Sequence, residues 1–254
     1  MKMRTPRLLT HWALVTASIA ALFFLSAGTL RIASLRNYLV AFSFLLLFTM
    51  LAVDPSLAEE RAKPREPGTD DSRLTTGLLF LFTLAVASFS VGHCRPGFNV
   101  PPPIRHLALG AFLLSGAFQT WAMIVNPFFS PVVRIQTERG HHLIAKGPYR
   151  LMRHPGYFAM CIAVPTSALS IGSWLALAPA SGFVAVIFRR ARMEDEFLTR
   201  NLSGYRSYAR QVRGGLFPTL DVWRRFNLAR VPARISQISK SWPKTWLSDL
   251  NSKY

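Results

Sequence analysis

Six stretches of this chain contain no Asp, Glu, Lys or Arg: residues 8–30, 38–53, 74–91, 107–125, 157–171 and 174–188. A bilayer core about 30 Å thick requires about 20 helical residues to cross it. The first, third and fourth stretches meet that length. The second, fifth and sixth are shorter, and must recruit flanking residues, tilt, or use snorkelling Arg side chains. A soluble helix would show a polar face, and none of the six does. The pattern therefore predicts an all-α integral membrane protein with about six transmembrane helices. Gly172-Ser173, the only interruption between the last two stretches, predicts an antiparallel hairpin. Beyond it, residues 189–212 read as one continuous helix leaving the membrane, ended by Gly214-Gly215.

The connections divide the chain into three parts. Residues 1–125 carry the first four spans. Residues 126–218 comprise a long turn-punctuated inner loop, the hairpin and the helix that follows. Residues 219–254 form a basic tail in which Trp223, Trp242 and Trp246 suit an interfacial or mobile segment. The loop at 54–73 is charged and Pro-containing, and three consecutive prolines, Pro101 to Pro103, make the connection at 92–106 a stiff one.

Charge settles the orientation. The formal net charge is +18, from 30 Lys and Arg against 12 Asp and Glu. Alternate connections, with both termini, hold 26 of those Lys and Arg, and the opposite side holds 4. This positive-inside asymmetry places both termini in the cytosol. It also accounts for the basic surplus through topology and anionic headgroups rather than nucleic acid. Cys94 and Cys161 have no CxxC or metal-ligand spacing, so neither a disulfide framework nor a metal site is expected. The basic, apolar N-terminus reads as a first transmembrane helix rather than a cleaved signal, because its apolar run is long and five more follow.

Two polar clusters remain. GPYRLMRHPGY (residues 147–157) contains His154-Pro155, and proline is favoured at a first helical position. The fifth span is thus expected to begin at Pro155, with its free N–H groups facing the cytosol as a site for an anion. His154 and Tyr157 lie within one turn of each other, flanked by Arg150 and Arg153. RRARMEDEFL (residues 189–198) places Arg190 and Glu194 four apart, on one helical face. The hairpin returns this second cluster to the membrane face of the first.

In order and spacing, GPYRLMRHPGY, the charge-free hairpin, RRARMEDEFL and then GYRSYARQVR resemble the isoprenylcysteine carboxyl methyltransferase family. The resemblance is strongest over residues 126–218. These are integral membrane enzymes that use S-adenosylmethionine, with relatives among the phospholipid N-methyltransferases. SPVVRIQTERGHHLI resembles bacterial members, which implies a bacterial inner membrane. The resemblance implies a cofactor pocket at the cytosolic end of the last hairpin. It assigns cofactor binding to Gln136, His141, His142, Leu143, Ile144, Tyr149, His154, Pro155, Tyr157 and Glu194. Arg190 would contact the acceptor, with Glu194 beside it in the catalytic pair. Two positions depart from the pattern: Ala159 stands where the family often has Gly, and Asp195 takes the second place of the usual Glu-Glu pair. The acceptor implied is lipid-like, either a prenylated cysteine carboxylate or a phospholipid amine, presented among membrane lipids.

Two other readings share parts of this pattern. NADPH-dependent membrane sterol reductases carry a similar RHPxY hairpin, commonly with Asn before the Tyr, where this chain has Gly156. A non-catalytic membrane scaffold would keep the helices without the chemistry. Neither the acceptor nor the oligomeric state is specified by the residues.

Overall fold

The computed structural model describes residues 4–54, 56–57, 72–94 and 99–218. Among them run seven α-helices: α1 (Arg4–Ala27), α2 (Ala33–Ala52), α3 (Ser72–His93), α4 (Pro102–Val125), α5 (Pro155–Ile171), α6 (Leu177–Asn201) and α7 (Tyr205–Gln211). Two 3₁₀ turns, Thr137–Arg139 and Gly147–Arg150, interrupt the long loop between α4 and α5. There is no β-strand among the described residues, only one isolated bridge between Asn99 and Ser173. The expected tail at 219–254, and most of the charged loop at 54–73, lie outside the described residues.

Helices α1 to α4 are each long and apolar enough to cross a bilayer. Their outward faces carry large apolar side chains; Leu25 is 81% exposed and Leu107 78% exposed. Contiguous apolar surface of this extent is stable against lipid, not water. This is a helical membrane protein.

A helix in lipid must satisfy its own polar groups, and the Ser and Thr scattered through these apolar runs show how. Thr83, Ser88, Thr120, Thr166 and Ser167 each donate to the carbonyl four residues earlier, at 2.7–2.9 Å. Others tie neighbouring helices together. The buried Tyr38 hydroxyl of α2 donates to Ser167 of α5 at 3.0 Å, and Thr49 of α2 meets Thr120 of α4 at 2.7 Å. Tyr38 also sits in an apolar core with Phe23, Leu35, Leu84, Phe112 and Ile171, drawn from five helices.

Packing shows that the helices alternate in direction. At one end of the bundle Gly92 of α3 lies against the Ala27 backbone, and Val100 N–H donates to Gly172 O at 2.8 Å. At the other end, Gly147 approaches Val125 and Trp121 of α4. The most extensively packed pair is α4 with α5.

Two expectations about boundaries need correction. The link between α5 and α6 occupies residues 172–176, not Gly172-Ser173 alone, and α6 starts at Leu177. Gly172 adopts φ 119° to end α5, and the Ser173 hydroxyl accepts from Ala176 N–H at 3.2 Å, closing a turn before the helix can start. Residues 189–212 are also not one helix. Helix α6 ends at Asn201, Gly204 takes φ 81°, and the separate α7 follows. A left-handed glycine reverses the chain cheaply, and the reversal buries Tyr205 and Tyr208 against the segment before α5.

Candidate active site

The start of α5 is built as the sequence predicts. Pro155 occupies its first turn, and His154 is the flanking residue. No side chain caps this terminus. Instead, the chain after α7 crosses it. Arg153 N–H donates to Gly214 O at 2.9 Å, and His154 N–H donates to Gly215 O at 3.1 Å. A Cβ on Gly215 would lie 3.2 Å from the Arg153 guanidinium, so the crossing is close.

Tyr157 sits one turn into α5 and receives α6. Its hydroxyl donates to Glu194 Oε2 at 2.5 Å and accepts from Arg190 Nε at 2.7 Å. Arg190 is 5% exposed; its guanidinium carbon lies 5.7 Å from the Tyr157 ring centroid, and a second nitrogen donates to the Pro131 carbonyl. The acid and the base of α6 thus share one hydroxyl of α5. The His154 and Tyr157 rings stack at 5.6 Å with 21° between their planes. Gly156 makes room for the loop, because a Cβ there would stand 2.5 Å from the Phe129 ring.

Asp195, next along α6, faces a different set of partners. It accepts from Arg153 Nε at 3.0 Å and Nη2 at 2.6 Å, from the Tyr205 hydroxyl at 2.5 Å, and lies 2.9 Å from His154 Nε2. Burial alone would raise its pKa; the hydrogen bonds from His154, Arg153 and Tyr205 outweigh burial and hold it well below the usual carboxylate range. Burial, and then the bond to Asp195, pushes the Tyr205 phenol far up, so it remains a donor. Arg153 also donates to the Val212 carbonyl at 2.9 Å.

The remaining expected residues fall into two groups. Tyr149 is buried beneath the end of α4; its hydroxyl accepts from Asn126 Nδ2 at 3.1 Å, and its carbonyl accepts from the Tyr208 hydroxyl at 2.7 Å. Gln136 is fully buried, and its side chain is occupied within the loop, donating to Phe128 O at 2.9 Å and accepting from Arg139 at 2.7 Å. His141 stacks on Phe128 at 4.4 Å, while His142 meets the edge of the same ring at 5.0 Å. Burial first, then the neighbouring His142, Arg134 and Arg139, lowers the His141 pKa. Leu143 reaches toward Gly204, and Ile144 is half-buried. Arg190, Glu194, His154 and Tyr157 therefore form one cluster with Pro155 at its base. Gln136 and His141 instead organise the loop that Arg190 contacts through Pro131.

Three residues at the centre of this geometry escape a linear reading: Arg153 as a ligand of Asp195, Asp195 itself, and Tyr205. The signal available was the GYRSYAR spacing, which places Tyr205 and Tyr208 on one face of a short helix. Among the described residues there is no group of three or more His, Cys, Asp or Glu that could hold a metal ion.

A bundle of apolar helices with this ionic cluster at the mouth of its last helix pair defines a membrane protein with an enzyme-like site. Residues 107–200, which hold most of α4, all of α5 and nearly all of α6, match the isoprenylcysteine carboxyl methyltransferase family. It is 38% identical over 94 residues to a probable protein-S-isoprenylcysteine O-methyltransferase of Oryza sativa, covering 35% of this chain and 47% of the rice protein. It is 30% identical over 148 residues to the cobalt-zinc-cadmium resistance protein CzcN of Cupriavidus metallidurans, covering 56% of this chain and 62% of that one. The nickel-cobalt-cadmium resistance protein NccN of Alcaligenes xylosoxydans xylosoxydans is 33% identical over 95 residues, covering 35% and 42%. The chain thus spans about half the length of the curated relatives it matches.

Proposed function

We propose that this protein is an S-adenosylmethionine-dependent methyltransferase of the membrane, acting on a lipid-like acceptor, with the carboxylate of a prenylated cysteine as the model substrate. In this reading α5 and the apolar half of α6 complete six spans, both termini are cytosolic, and the Tyr157 cluster opens to the cytosol. The observation that carries it is the sharing of the Tyr157 hydroxyl by Glu194 and Arg190 inside the family-matched segment.

The residues suit such a ligand. S-adenosylmethionine, when bound, supplies an electrophilic methyl group on a sulfonium, alongside a carboxylate, an ammonium and an adenosine. Glu194 gives the site a negative group for a cation or a ribose hydroxyl. The stacked His154 and Tyr157 rings offer aromatic faces to positive charge. The first turn of α5, uncapped by any side chain, favours a carboxylate.

Arg190 is held in place by Tyr157 and Pro131, so a carboxylate acceptor would meet a guanidinium already positioned. Such an acceptor is ionised at neutral pH and needs no general base, and rate enhancement would rest on orientation in a dry site. An amine acceptor would need deprotonation, with Glu194 or His154 as the base.

Thermal-shift measurement in detergent tests the reading. S-adenosylhomocysteine should stabilise the protein and NADPH should not; stabilisation by NADPH alone would favour a reductase. Glu194→Ala should weaken S-adenosylhomocysteine binding about tenfold or more. Arg190→Ala should retain most of that affinity while losing methyl transfer to a prenylcysteine analogue on radiolabel assay. Unaltered affinity in both variants would overturn this division of roles.

A further inference from the structure

The same acidic pair contains a second function, and it rests on the reading above. Glu194 faces Tyr157. Asp195, one residue on, turns away from that hydroxyl and gathers Arg153, His154 and Tyr205. An ionised carboxylate can only accept hydrogen bonds, so the His154 nitrogen 2.9 Å from it, Nε2, must carry a proton. In the neutral ring this leaves Nδ1 as an acceptor, and among the described residues no hydrogen-bond partner is assigned to Nδ1. The His154 side chain is 4% exposed, and its ring is stacked on Tyr157. Its orientation is therefore determined on one side by a π-stack and on the other by Asp195.

Asp195 is itself held on three sides. Arg153 reaches it with two nitrogens, and Tyr205 arrives from α7 after the reversal at Gly204. The Arg153 guanidinium balances the carboxylate's charge within the cluster. Arg153 also holds the Val212 carbonyl, while the backbone at 153–154 holds Gly214 and Gly215. The clasp thus links α5, α6 and the chain beyond α7 through one carboxylate.

We infer that Asp195 is a positioning residue for cofactor binding: it fixes His154 in the Nε2–H form, so that Nδ1 faces the site as an acceptor for a hydroxyl or ammonium donor of the cofactor. The acidic pair divides its work, with Glu194 contacting ligand directly and Asp195 acting through His154. This also accounts for Asp at a place where the resemblance anticipates Glu. The shorter arm suffices because Arg153 and Tyr205 come to it.

The test combines a spectroscopic signature with a binding measurement. Selective ¹⁵N-histidine labelling of the full chain in detergent, with His154 assigned by its loss in His154→Gln, reports the tautomer without any ligand. The expected signature is a protonated Nε2 and an unprotonated Nδ1; a protonated Nδ1 in the wild-type protein at neutral pH, with or without a proton on Nε2, would overturn the inference, whatever the variants do. In Asp195→Ala the two tautomers should exchange and S-adenosylhomocysteine affinity should fall about tenfold. Asp195→Glu should recover affinity to within about threefold, and kcat in Asp195→Ala should fall much less than KM for the methyl donor rises. Glu196→Ala, at an exposed neighbouring position, should match the wild type. Wild-type affinity in a folded Asp195→Ala would sink the positioning role. Should the wild-type protein bind no S-adenosylhomocysteine while showing the expected tautomer, the methyltransferase reading fails and the hydrogen-bonding assignment stands.

Discussion

At the scale of single residues, adjacent positions in the chain have separate duties because a helix turns about 100° per residue. Glu194 and Asp195 are neighbours in sequence, yet one meets Tyr157 and the other meets Arg153 and Tyr205. Glu194 was legible beforehand: four residues from Arg190, it shares that residue's face. The clasp around Asp195 was not, since its partners lie 42 residues before it and 10 after it, and the latter arrives only through a chain reversal. Asp195 also gives a prediction in pH. Its folded-state pKa is depressed, so its stabilisation is fully present above the ordinary carboxylate value of about 4 and is lost as pH falls through the folded value. The apparent melting temperature in detergent should drop below pH 4 more steeply in the wild type than in Asp195→Asn. Gly156→Ala belongs to the same scale. Its methyl would meet Phe129 at 2.5 Å, and overpacking of this kind costs about 1–3 kcal/mol. The melting temperature should fall, with partial recovery when Phe129→Ala is added.

At the scale of elements, the start of α5 was legible in the sequence, while the start and the end of α6 were not. Pro155 marked the beginning of α5 because a proline at that position gives up no intrahelical bond. Gly204 did not mark a break, because Arg- and Tyr-rich sequence continues on both sides and no apolar period changes there. The cause is tertiary: Tyr205 and Tyr208 gain buried partners only if the chain turns. Gly204 sits at φ 81°, where a residue with a Cβ is strained by about 1–2 kcal/mol. Gly204→Ala should therefore loosen α7, seen as faster proteolysis after Arg206 and Arg210, while α1 to α4 melt unchanged.

At the scale of the whole molecule, the apolar pattern made the helical membrane fold visible at once, because lipid demands long charge-free runs. What it could not show was how such runs are held to one another. Those contacts are small and polar, as between Tyr38 and Ser167 or Thr49 and Thr120, and Ser and Thr within apolar stretches give no periodic signal. The six-span topology proposed above makes its own prediction. A membrane-impermeant thiol reagent applied to intact cells should label Cys94, with a cysteine placed at Arg192 labelled only after the membrane is opened; the reverse pattern would invert the orientation.

Helix α5 is joined by main-chain bonds at both of its extremities, to Gly214 and Gly215 at one and to Val100 at the other. Mechanically it is a post fixed at floor and ceiling. It cannot slide along its own axis without breaking backbone hydrogen bonds at both ends, so ligand traffic past His154 and Tyr157 must be accommodated by the loop at 126–144 and by the chain beyond α6. Amide hydrogen exchange should accordingly rank α5 among the slowest segments with or without ligand, and concentrate any ligand-dependent protection in those two flanking stretches.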